Sequence, residues 1–158
     1  MNTMTVNPVG VVRAGEDGFR LELDPTYASA LEGLEDFSHV QVLWWFSGCD
    51  TEADRSILAE DSPYRMGPQR LGTFATRSPR RPNPLALTVA QVLWIDPESA
   101  VVGIAYTDAQ DGTPILDIKP YTPSLDRVES PRVPAWCAHW PKSLEASAAF
   151  DWEKEMED

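Results

Sequence analysis

The sequence predicts an all-β protein, a closed or nearly closed β-barrel with short peripheral helices, as one domain over residues 1–158. Six or seven short segments either alternate between apolar and polar residues or are rich in β-branched residues, and turn-forming residues separate them. The chain also lacks the repeating strand-helix-strand pattern of a doubly wound, Rossmann-type sheet.

The first predicted elements are a β-hairpin and a helix. Residues 9–12 and 19–23 have strand patterns, and the sequence AGEDG between them carries turn-forming residues. Tyr27, Leu31 and Leu34 then recur at helical spacing, which predicts a short helix. Further along the chain, the same patterns predict a buried strand at 39–46, a brief capped helix at 50–60, and strands at 85–95, 100–106 and 114–118.

The last predicted element is a C-terminal helix at about residues 143–156. Leu144, Ala148 and Trp152 fall on one face of such a helix, and many acidic residues fall on the other. This amphipathic pattern predicts a helix that lies on the barrel.

Charge is distributed unevenly along the chain. The net charge of −12 argues against binding a polyanion through the overall field. Residues 62–95 nevertheless contain no acidic residue and carry a charge of +5, and we call them the arginine island. Five prolines lie in the island, so we expect a stiff loop with short regular structure centred on the sequence LGTFAT. The arginines of the island are Arg65, Arg70, Arg77, Arg80 and Arg81.

Several classes of protein and site are disfavoured. No apolar run reaches the roughly 20 residues of a membrane span, and no basic, then apolar, leader opens the sequence, so we expect a cytoplasmic protein. Cys49 and Cys137 are too few and too far apart for a disulfide framework or a zinc site, and no metal is expected. The Walker, GxSxG, HExxH and GxGxxG motifs are absent.

Three polar segments lie at predicted strand ends. They are residues 37–40 (FSHV), 74–87 (FATRSPRRPNPLAL) and 107–121 (TDAQDGTPILDIKPY). In the second segment, prolines restrict the backbone around Arg77, Arg80, Arg81 and Asn83, and the planar fork of arginine suits phosphate or carboxylate. The alternative is a rigid surface connection whose arginines pair with the protein's own carboxylates.

The third segment offers carboxylates. Asp108, Asp111 and Asp117 are candidates for accepting hydrogen bonds from hydroxyl or ammonium groups of a ligand. The Asp-Gly pair at Asp111 is equally typical of a tight turn. We interpret His39 as a core histidine and assign no role to His139.

Taken in this order, the motifs FSHV, GTFATRSPRRPNPLALT and DGTPILDIKPY resemble those of the TrmO family, also called the YaeB or TsaA-like family. The similarity extends from about residue 9 to residue 121. The family consists of S-adenosylmethionine-dependent tRNA methyltransferases. The resemblance implies a non-Rossmann β-barrel and a homodimer with the cofactor near the subunit interface. It also implies N-methylation of threonylcarbamoyl-adenosine next to the tRNA anticodon.

The resemblance also implies site residues, carried over position by position. The cofactor contacts fall on Phe46, Ser47, Arg77, Leu87, Ala105, Tyr106, Thr107 and Asp108. Phe46 and Leu87 offer apolar surface to an adenine ring, and Asp108 offers an acceptor to ribose or ammonium groups. Candidates for binding the acceptor substrate are Arg80, Arg81, Asn83, Asp111, Asp117 and Lys119. No residue is assigned as a general base.

The chain departs from the family pattern at three places. A Pro-Arg-Gln segment between the first two strands of the family has no counterpart here. Ser47 stands where the family often has histidine, and Ala86 stands where it has glycine. These departures concern the cofactor contacts and the choice of acceptor.

Three functions stay open on the sequence. The first is a tRNA N-methyltransferase whose arginine island meets phosphates. The second is a methyltransferase of the same fold that acts on a small molecule, and the third is a non-catalytic S-adenosylmethionine-binding module. A homodimer is expected, because the adjacent Trp44 and Trp45 must face opposite sides of a strand and the outward one suits a subunit interface.

Overall fold

The computed structural model describes residues 2–156, which form two compact units. The first, which we call the barrel unit, comprises residues 2–49 and 84–126. The second unit comprises residues 50–83 and 127–156. The barrel therefore occupies part of the chain rather than all of it. No helix among the described residues is both long and apolar enough to cross a membrane.

Strands dominate the described residues, and the helices are short. The strands are β1 (Gly10–Gly15), β2 (Gly18–Leu23), β3 (His39–Trp45), β4 (Ala59–Asp61), β5 (Arg70–Gly72), β6 (Leu85–Asp96), β7 (Val101–Ile104) and β8 (Pro114–Pro120). The α-helices are α1 (Glu52–Arg55), α2 (Pro123–Asp126) and α3 (Leu144–Ser147). Short 3-10 helices lie at Pro25–Leu31, Leu34–Asp36, Thr73–Ala75, Ala135–Cys137 and Trp152–Lys154.

Six strands close into an antiparallel barrel in the order β1, β2, β7, β6, β3, β8. The barrel closes where β8 pairs with β1, with Ile115 opposite Gly10. The long strand β6 pairs with β3 over its first part and with β7 over its last part. The predicted all-β barrel with short helices is confirmed.

The barrel core follows from the alternation of side chains along each strand. In β3, Val40, Val42 and Trp44 are buried, and the residues between them are partly exposed. Ala86 of β6 is the direct cross-strand partner of Trp44, so a small side chain stands beside a large one in the interior. The strand predicted at 39–46 is therefore present, and β3 ends one residue earlier than expected.

The helix predicted after β2 is a 3-10 helix. Asp24 caps its first turn, because the Asp24 carboxylate accepts hydrogen bonds from the hydroxyl of Thr26 at 2.7 Å and from the N–H of Thr26 at 2.9 Å. These two bonds, the hydroxyl first, lower the pKa of Asp24. Gly33, with a φ of 88°, separates this helix from the next 3-10 turn, and glycine adopts that left-handed conformation without strain.

The C-terminal helix predicted at about 143–156 was wrong as a continuous element. The structure has α3 and a separate 3-10 helix, Trp152–Lys154. A continuing α-helix would need the carbonyl of Ser147 for the N–H of Asp151. That carbonyl instead accepts the N–H of Phe150 and the indole N–H of Trp152, each at 3.2 Å, so a tighter turn and a side chain take the place of the next helical bond.

The second unit has little strand pairing of its own, since β4 and β5 form a two-stranded sheet. Aromatic side chains join its two chain segments. We call them the aromatic cluster, and they are Tyr64, Trp136, Trp140, Phe150 and Trp152. Tyr64 stacks on Trp136 with ring centroids 5.1 Å apart. Trp140 contacts Tyr64, Trp136 and Trp152 edge-on, which places it at the centre of the cluster.

Candidate functional site

Three stretches that carry predicted cofactor contacts lie beside one another in the barrel, namely the residue after β3, the first half of β6 and the residues after β7. β3 ends where β6 begins, because the two strands are antiparallel partners. The N–H of Phe46 donates to the carbonyl of Pro84 at 2.9 Å, which continues the pairing past β3. Residues 105–113, which follow β7, begin beside β6, where the N–H of Ala105 donates to the carbonyl of Gln91 at 3.0 Å. The strand register thus brings these segments to a common rim.

A chain of contacts joins the segments at this rim. The indole N–H of Trp44 donates to the hydroxyl oxygen of Thr88 at 2.9 Å. The hydroxyl of Thr88 donates in turn to Oδ1 of Asp108 in a long bond of 3.5 Å. Phe46 packs edge-on against Trp44, with ring centroids 4.6 Å apart. We call these four residues the rim network, and it unites the predicted residues Phe46 and Asp108.

A buried threonine shapes the segment that carries Asp108. The side chain of Thr107 is buried, and its oxygen accepts the N–H of Ala109 at 3.2 Å. Tyr106, on the other side of Thr107, is 63% exposed and packs edge-on against Phe19. Asp108 is exposed, and its carboxylate accepts no hydrogen bond among the described residues except the one from the rim network. Free acceptor oxygens therefore face solvent at this point.

Leu87 and Ser47 are both exposed near the rim network. Leu87 lies on the outer face of β6, opposite Leu43 of β3, and is 43% exposed. Ser47 lies in the turn after Phe46, where its N–H donates to the carbonyl of Trp45 at 3.0 Å. Leu87 thus offers apolar surface on the outside of the barrel, and Ser47 offers a hydroxyl.

Asp111 attaches its segment to β1. Its Oδ1 accepts the N–H of Ala14 at 3.0 Å, and its Oδ2 lies 3.9 Å from the guanidinium of Arg13. The next residue, Gly112, has a φ of 81° and donates its N–H to the carbonyl of Val12 at 2.7 Å. These contacts favour the turn interpretation of Asp111 over a ligand role.

Asp117 and Lys119 pair with each other on β8, with Nζ and Oδ2 3.0 Å apart. Asp117 also lines a cavity of about 360 Å3 between the start of β1 and the 3-10 helices, and no residue of the rim network lines that cavity. The structure therefore does not bring these two substrate candidates to the rim.

Arg81, in the second unit, is occupied inside the protein. Its side chain is half-buried, and its guanidinium donates to the carbonyls of Thr73, Thr76 and Ser78 at 3.4, 3.1 and 3.1 Å. Five N–H donors in a planar fork allow one arginine to satisfy several carbonyls. Arg81 thus holds the backbone of its own loop.

The other predicted residues of this loop have different surroundings. Arg80 is exposed and forms an ion pair with Asp54 of α1 at 3.4 Å. The Oδ1 of Asn83 accepts a hydrogen bond from Arg55 at 3.0 Å. Arg77 is exposed and makes no hydrogen bond or ion pair among the described residues.

A carboxylate stabilises the aromatic cluster. Glu155 is largely buried, and its two oxygens lie 2.9 Å from Nε2 of His139 and 2.9 Å from Nε1 of Trp140. The bond with His139, followed by the bond from Trp140, lowers the pKa of Glu155. The ionised carboxylate is therefore the form that fits this position.

Sequence reasoning missed Thr88 and Arg55. Thr88 shares the inward face of β6 with Ala86 and Ala90, so strict alternation along the strand marks it as a polar residue at the interior. Arg55 ends a helix far from the motif it contacts, and no local pattern predicts that contact.

A comparison with known protein families covers both the barrel strands and the motifs. The sequence profile of the tRNA-methyltransferase O N-terminal domain matches residues 7–127. The chain belongs to the TrmO N-terminal domain family. The matched residues include the rim network and the whole arginine island, and so confirm the resemblance drawn from the motifs.

Individual relatives agree with the family assignment. A tRNA (adenine(37)-N6)-methyltransferase of Escherichia coli is 31% identical over 151 residues, covering 94% of this chain and 62% of that protein. A probable S-adenosyl-L-methionine-binding protein of Methanothermobacter thermautotrophicus is 34% identical over 139 residues, covering 77% of this chain and 92% of that protein. A crystal structure of TrmO from Pseudomonas aeruginosa superimposes with a TM-score of 0.66 at 31% identity, covering 85% of this chain and 62% of that one.

TrmO relatives are often longer than this protein. The chain spans less than two thirds of the length of several curated relatives, the Escherichia coli protein among them. Within residues 2–156, no group of three or more His, Cys, Asp and Glu side chains is arranged to hold a metal ion.

Proposed function

We propose that this protein is an S-adenosylmethionine-dependent methyltransferase whose acceptor is tRNA. The observation that carries the proposal is the rim network, which joins Phe46 and Asp108, two of the residues that the TrmO motifs place at the cofactor. The acceptor follows from the named relatives in Escherichia coli and mouse, both called tRNA (adenine(37)-N6)-methyltransferase. A cytoplasmic location agrees with a tRNA acceptor.

The chemistry of the rim residues fits the cofactor. S-adenosylmethionine carries an apolar adenine, ribose hydroxyls, an ammonium group and a sulfonium cation, and when bound it supplies a methyl group to a nucleophilic nitrogen. Asp108 offers exposed carboxylate oxygens for the hydroxyl or ammonium groups, and one of them lies 3.5 Å from the hydroxyl oxygen of Thr88. Phe46 and Leu87 offer apolar surface, and Phe46 is fixed against Trp44.

The remaining cofactor candidates have narrower roles in this proposal. Thr107 shapes the turn through its side-chain oxygen, and Ala105 holds the segment to β6 through its backbone N–H. Ser47 and Tyr106 present exposed polar groups. Arg77, in the second unit, is proposed as a cofactor contact on the resemblance to the TrmO family, and a guanidinium suits a carboxylate.

For the tRNA acceptor, the arginine island is a basic segment that suits contact with phosphates. Arg80 and Arg70 are 63% and 72% exposed, and each has a single surface ion pair, which costs little to exchange for a phosphate. Arg81 is committed to three carbonyls, so Arg80 is the better candidate of the predicted pair.

We also propose a homodimer formed through the outer face of β3 and β6. Cross-strand pairing places Leu43 beside Leu87 and Trp45 beside Leu85 on this face. Leu85 and Leu87 are each 43% exposed, and Leu93 further along β6 is 57% exposed. Apolar side chains grouped at the Leu85 end of this face suit an isologous contact. Light scattering should give twice the chain mass at micromolar concentration, and a monomer there would contradict the dimer.

Isotope transfer tests the activity and separates the alternatives. The protein is incubated with methyl-labelled S-adenosylmethionine and either bulk tRNA or a metabolite extract. Label in tRNA, located at adenosine 37, is the expected result. Label only in a small molecule would establish the same-fold metabolite methyltransferase, and binding without transfer to either pool would establish a cofactor-binding module.

The salt dependence of tRNA binding tests the arginine island. Replacing Arg80 with Ala should weaken binding and reduce the salt slope by about one counterion. The matched control is Arg20→Ala, since Arg20 lies on β2 of the barrel and is held by Asp17 and Glu22. Equal slopes for the wild type and the Arg80 variant would remove Arg80 from the RNA surface.

A further inference from the structure

The loop that carries Arg77 is held at its far end by an arginine from outside the motif. Arg55, the last residue of α1, donates from Nε to the carbonyl of Pro82 at 2.8 Å. A second nitrogen of the same guanidinium donates to Oδ1 of Asn83 at 3.0 Å. Two parallel donors from one planar group fix orientation as well as distance.

The near end of the loop is held by different partners. Arg81 donates to the carbonyls of Thr76 and Ser78, and the hydroxyl of Ser78 donates to Glu60 of β4. In the sequence, Arg77 lies between the two residues that supply these carbonyls. Prolines at 79 and 82 restrict φ and supply no N–H, so side-chain donors take the place that backbone pairing has in a strand.

The helix that supplies Arg55 is itself fixed. The oxygen of Thr51 accepts the N–H of Asp54 at 3.2 Å, and its hydroxyl donates to the carboxylate of Asp54 at 2.5 Å. Asp54 also pairs with Arg80 of the loop. Two consecutive residues of α1, Asp54 and Arg55, therefore contact the loop.

We propose that Arg55 is a positioning residue for Arg77, the free arginine of the loop. This inference rests on the proposed function, because it takes Arg77 to bind the cofactor. By holding the far end of the loop, Arg55 limits the conformations open to residues 77–81. Arg77 then loses less conformational entropy when it binds an anionic group. Arg55 itself need not touch the cofactor.

A double-mutant cycle tests the coupling. Calorimetry measures the affinity for S-adenosylhomocysteine of the wild type, Arg55→Ala, Arg77→Ala and the double variant. We expect Arg55→Ala to weaken binding roughly tenfold in the wild-type background and not at all in the Arg77→Ala background. Arg55→Lys should recover part of the affinity, because an ammonium can reach one of the two acceptors. Equal losses in both backgrounds would overturn the proposal.

A matched control separates positioning from general damage. Arg65 also donates to a carbonyl of the second unit, that of Met156, at 2.9 Å, but it does not contact the loop. Arg65→Ala should leave the affinity unchanged even if its melting temperature falls as far as that of Arg55→Ala. A loss of affinity in Arg65→Ala equal to that in Arg55→Ala would contradict a specific role.

Hydrogen exchange measures how well the loop is protected in the absence of a ligand. Peptides that span residues 76–83 should exchange faster in Arg55→Ala than in the wild type and in Arg65→Ala. Unchanged exchange would show that Arg55 does not restrain the loop, even if the wild-type protein binds the cofactor. A different outcome is that the wild type binds neither S-adenosylmethionine nor S-adenosylhomocysteine, while the Arg55→Ala variant still exchanges faster. That outcome would refute the cofactor role of Arg77 and the proposed function, but Arg55 would still restrain the loop.

Discussion

The barrel unit and the second unit hold their candidate functional residues by different means. In the barrel, strand pairing places Trp44 and Thr88 within one hydrogen bond of each other. In the second unit, Arg55 and Arg81 hold the loop of Arg77 through side-chain donors. Strand pairing distributes its hydrogen bonds over many residues, whereas in the second unit single arginine side chains each form several of them. The barrel should therefore tolerate most outward substitutions, and the second unit should depend on a few particular residues.

The largest effect in the barrel should come from a substitution that forces two strands apart. A Cβ at Gly10 would lie 2.2 Å from the carbonyl oxygen of Glu22 and 2.7 Å from the Cα of Leu23. Both are backbone atoms of the neighbouring strand, so Gly10→Ala should lower the free energy of unfolding by about 3 kcal/mol. Urea denaturation measures this. Gly48→Ala is the control, because a Cβ there meets nothing within 4 Å. Equal stability of the two variants would show that β1 and β2 can move apart at little cost in free energy.

The corresponding test in the second unit removes the centre of the aromatic cluster. Trp140→Ala loses ring contacts with three aromatic residues and the bond to Glu155. Because Trp140 is half-buried, we expect a loss of about 2 kcal/mol, below the range for fully buried tryptophan. Phe74→Ala, an 84% exposed aromatic of the same unit, should change stability by less than about 0.5 kcal/mol. Similar losses would mean that the cluster does not hold the unit together.

A smaller effect is expected from the hydroxyl at the barrel rim. Thr88→Val keeps the shape of the side chain but leaves the indole N–H of Trp44 without its acceptor and frees Asp108. Stability should fall by about 1 kcal/mol, and cofactor affinity should fall as well. Thr88→Ser retains the hydroxyl and should keep both. If the valine variant binds S-adenosylhomocysteine like the wild type, Thr88 has no part in holding Asp108.

The smallest effect is a pH dependence confined to the second unit. The bonds with His139 and Trp140 lower the pKa of Glu155 in the folded state below its ordinary value of 4.5. Its contribution to stability is thus fully present above pH 4.5 and is lost as the pH falls through the lowered pKa. The stability difference between the wild type and Glu155→Gln, from denaturation at a series of pH values, should shrink below pH 4.5. A constant difference would contradict this linkage.

The two units also differ in how far the sequence predicts them. The barrel strands were predictable because each buries one face, so Val40, Val42 and Trp44 alternate with exposed neighbours. Contacts in the second unit join residues far apart in sequence, such as Tyr64 with Trp136 and Arg55 with Asn83, and no local pattern encodes them. The predicted continuous C-terminal helix was wrong for a different reason, because a local bond from the indole N–H of Trp152 to the carbonyl of Ser147 ends it, and amphipathic spacing does not encode that bond.

The same difference between local patterns and contacts made on folding applies to the candidate site. The motifs indicate Phe46, Asp108 and Arg77 as candidates for cofactor binding, because resemblance transfers positions one by one. They did not indicate that Arg81 is occupied by carbonyls or that Asp111 anchors β1. Those roles depend on which acceptors the folded backbone presents, and residue type alone leaves an arginine equally suited to a phosphate or a carbonyl.

We propose that the barrel rim holds S-adenosylmethionine through Asp108. Calorimetric titration of the wild type, Asp108→Ala and Asp117→Ala with S-adenosylmethionine tests it most directly. Asp117 is the matched control, since it is an exposed aspartate of the same unit that pairs with Lys119. The wild type and Asp117→Ala should bind equally, and Asp108→Ala should lose about 1–3 kcal/mol of binding free energy. Absence of binding by the wild type up to millimolar concentration, or equal affinity of all three proteins, would contradict the claim.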